Sequence, residues 1–556
     1  MRVRFASLVL GAAVGIGGAS WAGSAELPLP AGAREAAAAI DQATLRGHVR
    51  FLSDDLLEGR GPASRGDELA RAYLASQLEI LGLQPGVAGA WQQPFEIVGL
   101  TTHAPQRWVF RGPGGEASLR FLDDFIAVTG QQAASASLAG AELVFVGYGI
   151  QAPEFGWDDF KGVDLSGKVL VMLNDDPNWD PALFAGIRRL YYGRWSYKYE
   201  SAARQGAAAA IIIHTTPSAG YPWQVVQTSW TGEQFELPAA GEPRLQVRSW
   251  VTEGAAREVV SLGGHKLDEL VAAARERTFR PIPLGIQTSL ALACDVRRAH
   301  TGNVAATLPG SDARLKDEVV VFCAHHDHLG RGRANANGDE IFNGALDNAS
   351  GVAQVLAVAR AFLRLPAAPR RSIMFLFPAG EEQGLIGSAY FAQHPPVAAE
   401  RFAAVINFDA GNIFGRTRDI ALVGKGKSSL DEVADAAAAL QGRVVTDEHF
   451  PDRGAYYRSD QFSLARVGVP SLYFNTGVDF IGRPPGWGRQ RLEAWLGANY
   501  HQPSDELTSE WDFAGLIEDT QLAFFAGLLV AQAEALPEWQ PGDEFAAARE
   551  QALKKQ

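Results

Sequence analysis

Four short apolar runs in the C-terminal half constrain the fold of this chain most strongly. They read "VVVFCA" (319–324), "SIMFLFPA" (372–379), "FAAVINFDA" (402–410) and "PSLYFNTG" (470–477). Helical patterns separate or follow them: "SGVAQVLAVARAFLRL" (350–365), "SLDEVADAAAAL" (429–440) and "DTQLAFFAGLLVAQAEAL" (519–536). Such alternation implies an α/β protein with a mainly parallel sheet and helices on both faces. Sites in such sheets form beyond the C-terminal ends of the strands. The residues just past each strand end are therefore the first place to look for chemistry.

Those residues are titratable. "HHDHLG" follows the first run, bringing His325, His326, Asp327 and His328. "NGALDNASG" places Asp347 at the start of a helix. Glu381 and Glu382 stand side by side after Ile373–Phe377, Asp409 ends the third run, and His501 lies further on in "NYHQPSDEL". Singly, each has an ordinary explanation: a packed histidine, a helix N-cap, a solvated glutamate pair. Together His325, Asp347, Glu382, Asp409 and His501 form a metal-ligand set of two imidazoles and three carboxylates. The set suits two divalent ions, zinc above all, with one carboxylate bridging them. It also accounts for two adjacent glutamates, which should repel each other. Glu382 binds metal, and Glu381 stays free as a general base whose charge the ions offset.

The rest of the chain supplies the setting. With 556 residues it is long enough for two or three domains. A formal net charge of -13 argues against nucleic acid or an anionic membrane surface as partner. Residues 1–25 read as a signal peptide: Arg2 and Arg4, a short apolar stretch, then small residues with cleavage expected near Ala22 or Ala25. The protein is accordingly expected in the periplasm or secreted, without membrane insertion, and no later run is expected to be long and apolar enough for a membrane helix. Residues 26–100 are assigned to an N-terminal segment of the catalytic domain, with a helix over Leu69–Leu81 stopped at Gly82. Residues 101–283 carry short β-rich runs ("AELVFVGYGI", "GKVLVMLND", "AAAAIIIHTT") and read as an inserted domain. Residues 284–536 hold the ligand series, and 537–556 form a tail. The only cysteines, Cys294 and Cys323, are equally compatible with one disulfide and with two buried thiols.

In order, "AHHDHLG", "NGALDNASG", "GEEQGLIGS", "INFDAG", "RSDQFSLARVGVPSLYF" and "YHQPSDE" resemble the motifs of the M28 family of zinc peptidases. "LSDDLLEGRGPASRGDELARAYLASQLEILGLQP" resembles the first segment of bacterial members, and the central region resembles the protease-associated (PA) domain inserted in many of them. The resemblance implies a three-layer α/β/α domain with a central, mostly parallel mixed sheet, plus the β-rich insert. It implies two zinc ions per chain, Asp347 as the bridge and Glu381 as base. Asp327 would orient His325, Asp505 would support His501, and Tyr500 would stabilise the oxyanion. A cis peptide is implied after Asp347. The sequence departs from the family pattern at His326, Leu346 and Gln461, none of them an expected ligand.

The resemblance points to an aminopeptidase acting on peptides. A carboxypeptidase or dipeptidase of the same family would instead use arginines such as Arg453, Arg458 or Arg483. A non-catalytic relative would have lost the ligands, which are all present here. The segment "FIGRPPGWGRQRLEAWLGANYHQP" is expected to be an ordered loop lining the pocket through Trp487 and Trp495. Nothing in the sequence assigns substrate contacts or an oligomeric state.

Overall fold

The structure, a computed structural model, describes residues 29–181 and 183–554. The expected leader, 1–25, lies outside them.

The half that carries the expected ligand series is built on a mixed sheet. Ser372–Phe377, Val319–Cys323, Phe402–Asn407 and Ser471–Thr476 run parallel in that order. The C-terminal end of Ile282–Leu308 flanks Ser372–Phe377 antiparallel. Asp419–Leu422 flanks the other side, antiparallel to Ser471–Thr476, and pairs in turn with Val444–Asp447. Every residue of Val319–Cys323, Ser372–Phe377 and Phe402–Asn407 is buried, as expected for strands covered on both faces. Val320 and Phe322 join the core beneath Gly351–Phe362 and Phe513–Gln532. Val319, Val321 and Cys323 face the opposite layer with Phe391 and Leu464. Three layers, α/β/α, result. Helices from Ala33 to Ile80 contribute Leu45, Val49, Leu74 and Leu78 to the first of these cores.

Phe513–Gln532 corrects one expectation. It is 20 residues long and apolar enough to span a bilayer by length and composition. In the fold 78% of its most apolar window is buried against protein, the environment of a core helix.

The central segment has apolar clusters of its own. Their buried members come only from residues 108–292, around Trp108, Phe145 and Ile211 on one side and Trp250, Met172 and Ile212 on the other. No linker divides this unit from the rest. Ile282–Leu308 is one 27-residue strand, and the boundary expected at 283/284 falls inside it. Its first half alternates: Leu284, Ile286, Thr288, Leu290, Leu292 and Cys294 face inward and their neighbours outward. From Gly302 to Thr307 the strand is covered on both faces, or nearly so, as it enters the other sheet. Gln92–His103 accompanies it antiparallel through the crossover. Cys294 and Cys323 are separate buried free thiols.

Candidate metal centre

The strand ends bring the expected residues together. Asp347 is the hub. Its Oδ1 lies 3.3 Å from His325 Nε2, and its Oδ2 lies 3.4 Å from His501 Nε2. Around His325 Nε2 are also Asp409 Oδ1 at 3.5 Å and Glu381 Oε2 at 3.9 Å. His501 Nε2 is 3.0 Å from Glu382 Oε2. Two half-sites thus share Asp347: His325 with Asp409, and His501 with Glu382. Glu381 borders the first half-site.

Local backbone features aim these groups. Gly344, before Asp347, has φ 56°, and a Cβ there would meet the Asp347 carbonyl oxygen at 2.3 Å and His328 Cγ at 2.5 Å. Only glycine lets the loop pass this close. The Asp347–Asn348 peptide is cis, as the resemblance implied. His501, at the end of helix Trp487–Asn499, is held at φ 56°. This conformation costs a non-glycine residue on the order of 1 kcal/mol or more.

The supporting contacts differ in part from expectation. Asp327 spends its carboxylate on the amide N–H groups of Glu381 and Glu382, at 3.1 and 3.4 Å. His325 Nδ1 is nearest the Asp327 carbonyl, at 3.2 Å, with the carboxylate at 3.7 Å. Asp505 does not support His501. Its carboxylate accepts the N–H groups of Leu346 and Asp347 at 2.8 and 3.0 Å, so it holds the bridging residue's backbone. His501 Nδ1 is paired instead with Ser229 Oγ at 2.8 Å, a residue of the central unit. Tyr500 stacks on the His501 ring at 3.9 Å, and its hydroxyl accepts from Arg458 at 3.2 Å.

Several participants were not assigned from sequence. His328 Nδ1 lies 2.6 Å from Glu382 Oε1. The fully buried Arg60 donates to the carbonyls of His326, Asn343 and Gly344 at 2.9, 2.6 and 3.0 Å, and to that of Leu52. It thereby ties the loop of His325 to that of Asp347. Asp460, buried beside the site, has both oxygens without a hydrogen-bond partner. His326 anchors downward to Asp67 at 3.1 Å. Gln461 bonds Asn407 and the Tyr456 carbonyl, away from the ligand cluster. Arg60 and Asp460 lie within the stretches "LSDDLLEGRGP" and "RSDQFSL", where residue type alone gives neither its role, and Ser229 carries no such signal.

The electrostatics fit a cation. Burial pushes the Glu381 carboxyl well up, with Asp409 and Glu382 adding to the effect and His325 opposing it. Burial alone would raise Asp347 too, but His325 and His501 draw it well below the carboxylate range. His501 is disfavoured as a cation by burial, yet Glu382 and Asp347 lift it to about 9. Burial raises Asp460 to about 7. Among the described residues no lysine or arginine forms an ion pair with Asp347, Glu381, Glu382 or Asp409. The Nε2 atoms of His325, His328 and His501 are buried without hydrogen-bond partners. Carboxylates in excess and imidazole nitrogens left open toward them are what a divalent-metal site requires. Three close groups of possible ligands overlap here: His325, Asp347 and Asp409; His328, Asp347 and Glu382; and His325, Glu381 and Glu382.

The site opens into a cleft of about 430 Å³. One wall is peptidase-type: Phe450, Arg453, Tyr457 and Arg458. The other comes from the central unit: Arg194, Trp195, Tyr221 and Trp230. The expected loop before His501 is instead a helix, Trp487–Asn499, which turns Leu492, Trp495 and Leu496 to the cleft at helical spacing. Trp487 is not a lining residue and packs on Phe480 at 5.1 Å. Arg483 lies over Trp487, outside the lining.

Fold and site together define a metallopeptidase-type α/β domain. Residues 303–525 match Peptidase family M28, and this part of the chain is an M28 peptidase domain. A stretch of 106 residues is 40% identical to a probable zinc metalloprotease of Pyrenophora teres f. teres (strain 0-1), covering 19% of this chain and 22% of that protein. Another of 248 residues is 25% identical to probable leucine aminopeptidase 2 of Aspergillus oryzae (strain ATCC 42149 / RIB 40), covering 43% and 46%. The chain thus spans less than half the length of these relatives. An aminopeptidase from Aneurinibacillus sp. strain AM-1 shares the fold, with a TM-score of 0.53 and 19% identity over 91% of this chain and 97% of that one.

Proposed function

We propose that the protein is an exported exopeptidase with two zinc ions, acting as an aminopeptidase on peptides. The observation that carries this reading is the split of the Asp347 carboxylate between His325 and His501, with Glu381 at its side. His325, Asp347 and Asp409 would hold one ion, and His501, Asp347 and Glu382 the other. Zinc bound there would polarise the scissile carbonyl and acidify water.

Glu381 would take the proton from the attacking water and pass it to the leaving amine as the C–N bond breaks. Its carboxylate borders the first half-site, 3.9 Å from His325 Nε2, where it would meet an attacking water. Tyr500 would donate its hydroxyl to the oxyanion formed from the carbonyl, its ring held by His501 and its oxygen by Arg458. The central unit, read as a PA-type domain, would close the second wall of the cleft and exclude water through Trp195, Tyr221 and Trp230.

Hydrolysis of aminoacyl and N-blocked dipeptides, with zinc, after EDTA, and by Glu381→Gln, tests the reading. Cleavage confined to substrates with a free α-amine, abolished by EDTA and reduced about 10²-fold or more in the variant, is expected. A second reading, a carboxypeptidase or dipeptidase of the same family, draws on Arg453 and Arg458 in the cleft wall. Cleavage of N-blocked peptides would favour it.

A further inference from the structure

The two half-sites are not held alike. His325 and Asp409 are braced from within the ligand-bearing half. His325 Nδ1 faces the Asp327 carbonyl at 3.2 Å, and the Asp409 carbonyl accepts from the Tyr473 hydroxyl at 3.4 Å. Among the described residues no hydrogen bond or ion pair reaches either of them from the central unit. His501 and Glu382 are braced from across the cleft. Ser229 Oγ meets His501 Nδ1 at 2.8 Å. A little further on, the Phe235 N–H donates at 3.0 Å to Oε1 of Gln383, the neighbour of Glu382. The Phe235 ring lies in one apolar cluster with Ala379 and Ile386, which bracket the turn carrying both glutamates.

One short stretch of the central unit thus touches both ligand-bearing loops of a single half-site. It is anchored on its own side. Ser229 ends the helix Trp223–Ser229, and the Trp230 ring packs 5.0 Å from Trp195 and 5.6 Å from Tyr199. Glu233–Glu236 pairs antiparallel with residues 98–101, and Glu233 takes a two-pronged ion pair from Arg297 at 2.5 and 2.8 Å. The chain passes between the two units only through Gln92–His103 and Ile282–Leu308. The walls of the cleft belong to both units. A swing about this ribbon that widens the cleft would draw residues 229–235 away from His501 and Gln383 and leave His325 and Asp409 as they are.

We propose that residues 229–235 clamp the His501–Glu382 half-site alone, with Ser229 and Gln383 as positioning residues, so that a divalent ion in this half-site and docking of the central unit favour each other. The proposal rests on the two-ion reading of the site. A ligating imidazole is oriented through its other ring nitrogen, and for His501 that nitrogen is held by Ser229. Coupling of this kind is reciprocal: whatever docking adds to the ion's affinity, the ion adds to docking. Its usual size is about 5–150-fold. An open cleft would keep the ion of His325 and Asp409 and hold the other loosely.

Metal titration with amide hydrogen exchange tests the clamp without reference to activity. The metal-free full chain is titrated with zinc against a chromophoric chelator, and exchange is followed as each ion binds. Residues 223–236 are expected to gain protection with one of the two ions and not with the other. Ser229→Ala and Gln383→Leu should each weaken one ion at least about tenfold and leave the other within about twofold. Ser229→Thr, which keeps the hydroxyl, should retain most of the affinity. Equal weakening of both ions, or of neither, in folded variants overturns the proposal. So does zinc that leaves the exchange of residues 223–236 unchanged in the unaltered protein, a result that stands even where a variant fails to fold. Uptake of a single ion by the unaltered protein would overturn the two-ion reading. Protection of residues 223–236 by that ion would still uphold the clamp, and lack of protection would remove it.

Discussion

Ser229 Oγ sits 2.8 Å from Nδ1 of His501, joining two residues 272 positions apart. The contact fixes the imidazole so that Nε2 faces Asp347 and Glu382. Partners of this kind typically change metal affinity about 10–100-fold when removed. Ser229→Ala should therefore weaken zinc binding by about that factor, read by chelator competition. An unchanged affinity would mean that the ring is oriented by stacking on Tyr500 alone.

Arg60 holds four main-chain carbonyls from three segments. Its removal leaves them buried without a donor and takes a cation from beside Asp327 and Asp505. Arg60→Met should lower the stability to urea by about 3–5 kcal/mol. Arg60→Lys should recover little, because one ammonium cannot reach carbonyls spread around a planar fork. Full recovery by lysine would show that charge alone mattered.

The clustered carboxylates make the metal a stabiliser of the fold. Zinc at about a hundredfold over its dissociation constant should add about 2.7 kcal/mol. Thermal scans at fixed protein concentration should show a lower Tm after EDTA, restored by zinc. Coincident transitions would argue against a metal held by buried ligands.

Glu448 offers a pH test away from the metal ligands. Burial is the main force on its carboxyl, with Asp447 and Asp452 adding and Arg188 opposing, and it rises to about 7. The unfolded value is about 4.3. The folded state thus binds the proton more tightly, and its advantage is complete below pH 4.3 and lost as pH rises toward 7. The loss is on the order of 3 kcal/mol. In Glu448→Gln this slope should vanish, so the variant should gain on the unaltered protein between about pH 4.3 and 7. Parallel stability curves would show that the carboxyl is hydrated.

Trp487 opens a helix and Trp495 lies in its second half, and the two face different surroundings. Trp495→Ala should raise KM several-fold with a smaller change in kcat, while Trp487→Ala should leave KM in place. Equal effects would mean that the helix acts only as a scaffold.

The sequence by itself determined the parts that depend on local pattern. The strands at 319, 372, 402 and 471 follow from unbroken apolar runs, and the helices from their periodicity. His325, Asp347, Glu381, Glu382, Asp409 and His501 were legible because a parallel sheet gathers whatever follows its strands. The long strand Ile282–Leu308 was not, because its alternating first half and buried second half read as two different things. Only the tertiary structure decided that Ser229 serves His501, that Asp505 serves Asp347, that Arg60 ties the loop of His325 to that of Asp347, and that Arg194 lines the cleft. It also turned the expected loop into the helix that selects Trp495 over Trp487. The Ser229, Asp505 and His326-loop contacts join residues more than a hundred positions apart, and the first also crosses between the two packed units. A side chain's residue type and immediate neighbours carry no record of that meeting.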